Sequence, residues 1–361
     1  MLAARVGGDE FGVLLDRVHD PGLAVRLGER LQRTLNQPFR VGIEEVYASA
    51  SVGVAFGGQD LARAEDLLRD AGIAAQRAKG QGVGRRALFD SSMRASVVAQ
   101  LTLDNDLRRA VEAGHIQVHY QPVVSLVSGA VGGFEALARW NHPDLGFIPP
   151  SRFIPAAEQA GLIGRLGNHV LREACAGMRL LQMSAREPLS MSVNLSAAQV
   201  FDPALVGDVA EVLGSSGIDP SRMRLEVTES MLFDRIEAAA VVLQRLRALN
   251  VRICIDDFGT GYSSLSYLHL LPVDILKVDR SFVAALAEGG KAEGIIAAIV
   301  ALSTNLGLEL IAEGVETEQQ ASALRRLGVE QAQGFHFAKA MEVEQCAGIL
   351  GGIPAARRSS G

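Results

Sequence analysis

Arg252-Ile253-Cys254-Ile255-Asp256-Asp257-Phe258-Gly259-Thr260-Gly261-Tyr262-Ser263-Ser264 runs a short apolar stretch into two adjacent carboxylates and a glycine-bearing loop. Val251 to Ile255 has the length and β-branched content of a buried strand. Two ionised acids side by side at a strand end repel each other, and a bound cation is the usual remedy. An acidic turn that merely holds two aspartates is the alternative. Other strands decide between the two by delivering matching ligands or failing to.

Outward from this stretch, apolar runs alternate with segments of helical spacing. The pattern predicts strands over 116–126, 131–140, 189–195, 223–228, 251–256, 275–278, 308–312 and 331–335. Helices are predicted between most of them, over 168–183, 203–215, 236–249, 292–306 and 318–327. Such alternation is the signature of an α/β fold, here a (β/α)8 barrel of the TIM type. The first two strands are joined only by Val127-Ser128-Gly129-Ala130, too short for a parallel crossover. One antiparallel strand is therefore expected, a modification of the regular barrel.

Chemistry in such barrels sits at the C-terminal strand ends, and polar residues collect there: Glu135, Asn194, Glu226 and Glu229, Asp256 and Asp257, Lys277, Glu313 and Glu316, and Gln333. Any one buried acid could be a satisfied core group. A succession of them inside a Val/Ile/Leu pattern is costly to bury unless they surround metal ions and one another. Oxygen ligands without a His or Cys cluster favour hard cations, magnesium or manganese, over zinc.

Glu135-Ala136-Leu137 is the signature of the EAL family, phosphodiesterases of cyclic di-GMP, and the resemblance covers about residues 101–348. The family's fold is a modified TIM barrel with one antiparallel strand. Carried over by motif, the resemblance implies that Glu135, Asn194, Glu226 and Asp256 hold one metal ion. Asp256 would bridge to a second ion, which Asp257 and Glu313 also hold. Lys277 would orient the attacking water, and Glu313 is viewed in the family either as ligand or as general base. Glu229 would anchor the loop 257–264, with Glu316 supporting the site. Gln121, Leu137 and Arg139 would line the substrate site, and Gln333 would hydrogen-bond the water or its neighbours. The implied reaction is hydrolysis of cyclic di-GMP to linear pGpG with two Mg2+ or Mn2+ ions. A homodimer through the barrel is also implied. The alternative is a silent cyclic di-GMP-binding module, but no carboxylate of the set is missing. Removing Glu135 is expected to relieve carboxylate repulsion and to leave the fold intact. The family's proline after the Gln-Gly-aromatic segment is Ala340 here, a change expected to affect loop placement only.

Residues 1–90 read as a separate unit. Gly7-Gly8-Asp9-Glu10-Phe11 is the signature of the GGDEF family, the diguanylate cyclases, at the turn of a hairpin. Helices are expected over 23–35 and 61–79, with one alternating strand over 46–56. The family's metal-binding aspartate belongs to a first half of the domain that this sequence does not contain. Its Asp and Tyr in the Ala-Asp-x-Ala-Met-Tyr segment are Gly72 and Gln76 here. The unit is therefore expected to be incomplete, without cyclase activity, and to leave apolar sheet surface uncovered. Residues 91–113 read as a connecting helix, 114–352 as the phosphodiesterase domain and 353–361 as a disordered polar tail.

A net charge of −6 disfavours a nucleic-acid polymer or an anionic membrane as partner. Cys175, Cys254 and Cys346 are scattered in apolar surroundings, as in a reducing compartment. With no long apolar run, the reading is cytoplasmic, and His119, His142, His169, His269 and His336 show no ligand spacing and read as structural or surface groups.

Overall fold

The computed structural model describes the chain apart from residues 17, 19, 20, 43, 58–62, 83, 234, 260–267, 269, 289 and 351–361. The chain divides into two compact units, Met1–Asn105 and Asp106–Gly361.

In the first unit, β1 (Leu2–Gly7) and β2 (Glu10–Leu14) form an antiparallel hairpin. Gly8 takes φ 48° at its turn, where the Arg5 Nε donates to the Gly8 carbonyl at 2.8 Å. Helix α1 (Pro21–Leu35) presents Gln32, whose amide donates to the carbonyls of Ala50, Gly84 and Arg85. The strand expected over 46–56 is instead two. Residues of β4 (Glu44–Val46) pair antiparallel with β3 (Phe39–Val41), whereas β5 (Val52–Val54) pairs parallel with β6 (Arg86–Leu88). The two ends of that run have different partners, so it cannot stay one strand. Helix α2 (Ala64–Gly80) lies so close to β5 that a methyl on Gly53 would overlap the Ala71 and Ala75 backbone. Leu2, Val6, Phe11 and Leu14 are exposed on the hairpin. Helix α3 (Ser91–Glu112) continues the chain from one unit into the next, burying Leu103, Leu107 and Val111.

The second unit is a closed eight-stranded barrel. Its strands are β7 (Gln117–Ser125), β8 (Val131–His142), β10 (Ser190–Asn194), β11 (Met223–Thr228), β12 (Arg252–Phe258), β13 (Ile275–Val278), β14 (Glu309–Ala312) and β15 (Gln331–Ala332). A short β9 (Gly146–Ile148), absent from the sequence reading, pairs with the outer end of β8. Within the ring only β7 runs antiparallel to its neighbours, β8 and β15; the other ring pairs are parallel, and β8 with β10 closes it, while β9 pairs antiparallel with β8 outside the ring.

The interior is layered. At the N-terminal mouth Arg224 and Arg252 share Glu309, with N–O distances of 3.4 and 2.8 Å. Above them Val123, Cys254, Ile275 and Ile311 form an apolar floor, on which the C-terminal polar layer stands. Period-two alternation places Glu226, Asp256 and Lys277 on the inward face two residues beyond Arg224, Cys254 and Ile275. Among the described residues no helix is long and apolar enough to cross a membrane.

The last strand ends sooner than the 331–335 expected. After Gln333, whose N–H donates to the Ala312 carbonyl, the chain turns across Val315, whose N–H donates to the Gln333 carbonyl. Glycine is required at 334 because a methyl there would overlap the Val315 backbone. Gly334→Ala is expected to cost about 1–3 kcal/mol through overpacking. A thermal melt should show a midpoint several degrees lower, together with reduced activity, because Gln333 moves with the turn.

Candidate active site

Nine barrel residues singled out from sequence converge at the C-terminal mouth. Lys277, 1% exposed, stands among four carboxylates. Its Nζ lies 2.5 Å from Glu313 Oε1, 2.8 Å from Glu226 Oε2, 3.4 Å from Glu135 Oε2 and 3.6 Å from Asp256 Oδ1. Glu135 also accepts from Asn194 Nδ2 and Gln333 Nε2, each at 2.6 Å. Gln333 donates in addition to Gln121 Oε1 at 3.0 Å, and Gln121 passes its own amide to the Ala338 carbonyl. Asp256, Asp257 and Glu313 can bring carboxylate oxygens within 4.8 Å of one another, close enough to share one cation. Asp257 holds φ 54°, a left-handed conformation that a non-glycine residue adopts at some cost, and its N–H donates to Asp256 Oδ1 at 2.9 Å.

Glu229 accepts from the Gly259 N–H at 2.7 Å, fixing the first residues after the two aspartates. The rest of the 257–264 loop, from Thr260 on, lies outside the described residues, as do His269 and the 353–361 tail. Leu137 and Arg139 are half-buried on the outer part of β8. Arg139 donates to the Ala138 carbonyl. Burial lowers the Arg139 pKa somewhat, against the pull of Glu135. Glu316 is not brought into the ring: its side chain is exposed, and its backbone N–H donates to Gln320.

The electrostatics divide the acids. Burial raises the Glu226 carboxyl well above the ordinary range, with Glu135, Asp256 and Glu313 adding to the rise against Lys277. Burial likewise raises Glu313 to about 8 despite Lys277, and raises Asp257, with Asp256 and Asp279 adding to it. Glu135 goes the other way. Its burial is outweighed by Lys277 and by the Gln333 and Asn194 hydrogen bonds, so its pKa falls. Burial would depress the Lys277 ammonium, but the four surrounding carboxylates overcome it and raise its pKa. Asp279, two residues past Lys277, is a contributor that sequence reading passed over; it also caps the next helix through the Ser281 N–H.

The donor set fits a hard divalent cation. Glu226 Oε1 and Gln333 Oε1 are buried acceptors with no hydrogen-bond partner, and acceptors left bare in this way match a cation or its water. One ammonium also cannot neutralise four carboxylates. A protonated carboxyl does not ligate a cation, so divalent-ion affinity must rise as Glu313 loses its proton toward pH 8. Between pH 6.5 and 7.5 the apparent Mn2+ affinity is expected to increase about tenfold per proton released, with proton release measurable by calorimetry in buffers of different ionisation enthalpy. Stability without metal has the opposite sign. Groups with raised pKa values favour the fold below the ordinary carboxylate range, and that contribution is lost as pH rises toward about 8.

The family model for the EAL domain matches residues 104–340. The chain belongs to the EAL domain family. The model for the diguanylate cyclase GGDEF domain matches residues 1–85. Among curated relatives of this EAL protein, the bifunctional diguanylate cyclase/cyclic di-GMP phosphodiesterase MucR of Pseudomonas aeruginosa is 44% identical over 342 residues, 95% of this chain and 50% of MucR. The cyclic di-GMP phosphodiesterase PdeR of Escherichia coli is 37% identical over 338 residues, 94% of this chain and 51% of PdeR. The chain thus spans about half the length of these relatives. A solved structure of the PaMucR phosphodiesterase in its c-di-GMP complex is 46% identical, with a TM-score of 0.65 over 68% of this chain and 99% of that one.

Proposed function

We propose that this EAL domain is a phosphodiesterase that opens cyclic di-GMP to linear pGpG with two magnesium or manganese ions. The observation that carries the reading is the buried ring of Glu135, Glu226, Asp256 and Glu313 around Lys277, with Asp257 beside it. Names of relatives that match nearly the whole chain support the substrate.

Glu135, Asn194, Glu226 and Asp256 would hold one ion, and Asp256, Asp257 and Glu313 the other. When bound, such a pair activates water and neutralises charge on the phosphate. The chain's own groups do the rest. Lys277 is a donor, since its ammonium stays protonated at neutral pH. It can orient a water with its N–H bonds but cannot take a proton. Glu313, beside Lys277 and within reach of Asp256 and Asp257, is placed to serve either as a ligand of the second ion or as a general base. Arg139 presents a guanidinium suited to a phosphate oxygen, and Gln333, held by Gln121, keeps Glu135 in place. The GGDEF-like unit is read as inactive, with Gly72 and Gln76 in place of the cyclase residues. A homodimer through the barrel is part of the reading and is checked by the mass in solution.

The test is incubation of the purified protein with cyclic di-GMP and Mn2+, with products resolved by anion-exchange chromatography. A linear dinucleotide that disappears on chelation is the expected product. Intact substrate despite tight binding would instead establish a silent binding module.

A further inference from the structure

Among the described residues, His119 differs from three other histidines that have polar partners. His142 Nε2 lies 3.2 Å from Asp106, His169 Nε2 lies 2.7 Å from the Ile116 carbonyl, and His336 Nε2 lies 3.1 Å from Glu318. These three are held structurally. His119 Nε2 is buried and has no hydrogen-bond partner. A buried ring nitrogen without a partner is destabilising, so a fold that retains one invites the question of what it meets.

Strand register answers where the ring lies. Gln121 is paired with Glu135, His119 with Leu137, and Gln117 with Arg139. Side chains two residues apart share a face, so His119 stands on the same inward face as Gln121, about 7 Å farther toward the mouth. The Gln121–Gln333–Glu135–Asn194 chain of hydrogen bonds is complete one step deeper. His119 has no part in it. Directly across, Leu137 offers only apolar contact, and one step farther out Arg139 supplies the positive charge. The His119 side chain is half-buried, so a turn of the ring can present a nitrogen to the mouth. With a phosphodiester in the acid layer, the part of the substrate at the height of His119 is the attached nucleoside.

We propose that His119 is a specificity-determining residue that hydrogen-bonds the nucleoside, base or ribose, next to the scissile phosphate. This rests on the phosphodiesterase reading. Arg139 then recognises phosphate charge, while His119 recognises the uncharged part that distinguishes a dinucleotide from other diesters.

The experiment compares wild type, His119→Ala and His119→Gln on cyclic di-GMP and on bis(p-nitrophenyl) phosphate, a diester without nucleosides. Binding of cyclic di-GMP is measured separately by calorimetry in Ca2+. In His119→Ala, KM and Kd for cyclic di-GMP should rise about tenfold with kcat changed less than about threefold, one lost hydrogen bond's worth. The preference for cyclic di-GMP over the simple diester should fall about tenfold, and His119→Gln should restore most of it. Unchanged KM and Kd, or equal losses on both diesters, would overturn the inference while leaving the hydrolase reading intact. Wild type that binds without cleaving would overturn the hydrolase reading, and a tenfold weaker Kd in His119→Ala would still uphold the role of His119. Wild type that neither binds nor cleaves would overturn both.

Discussion

Glu135→Ala is expected to abolish turnover, by on the order of 10³-fold or more, because it takes a carboxylate from the charge that must be preorganised around the reacting phosphate. Sequence reasoning alone leads one to expect relief of repulsion and an undisturbed fold. The structure changes that expectation. Glu135 is the acid of the ring whose charged form its surroundings favour: Lys277, Gln333 and Asn194 all serve it. Its removal leaves one of the two N–H groups of the buried Gln333 amide without its acceptor, the other still going to Gln121, and should cost about 1–3 kcal/mol. Thermal melts in chelator and steady-state rates in Mn2+ separate the two losses. Glu135→Gln should recover part of the stability and little of the rate. Full activity in either variant would contradict the ligand assignment.

Lys277→Met should have the largest effect on stability. It keeps a similar volume but removes the ammonium that faces Glu135, Glu226, Asp256 and Glu313. Breaking a buried ion network by deleting one partner typically costs about 3–5 kcal/mol, because the remaining charges are left uncompensated. The metal-free variant should therefore melt far below wild type at pH 8 and recover toward pH 5, where the carboxylates can take up protons instead. Mn2+ should rescue its stability more than it rescues wild type, since cations supply the missing positive charge. Turnover should still fall roughly 10²-fold, because a water-orienting donor is gone. A melt that is equal in both proteins at pH 8 would show that the ammonium does not balance the ring.

Much of this was legible in the chain. Eight apolar runs separated by helical spacing give the barrel, and the four-residue link between the first two strands gives its antiparallel member. Parity within each strand then aims Glu135, Glu226, Asp256 and Lys277 at one another. What sequence could not supply is how each acid is treated once there. Glu135 and Glu226 are both buried carboxylates beside Lys277, yet their pKa values move in opposite directions. The difference lies in amide donors, Gln333 and Asn194, that come from distant strands. Likewise, nothing in Gln331-Ala332-Gln333-Gly334-Phe335 marks where pairing stops, and the close approach of Val315 to Gly334 ends it. The run over 46–56 alternates well enough for one strand, but partners chosen elsewhere in the chain divide it. His119 carries no spacing signal, because its interest comes from what it fails to touch.

Crystals grown with Mn2+ and recorded at the manganese absorption edge would put the whole account to its plainest trial. Two anomalous peaks are expected, one bounded by Glu135, Asn194, Glu226 and Asp256 and the other by Asp256, Asp257 and Glu313. A carboxylate ring still closed on Lys277, with no anomalous peak inside it at saturating Mn2+, would contradict the account.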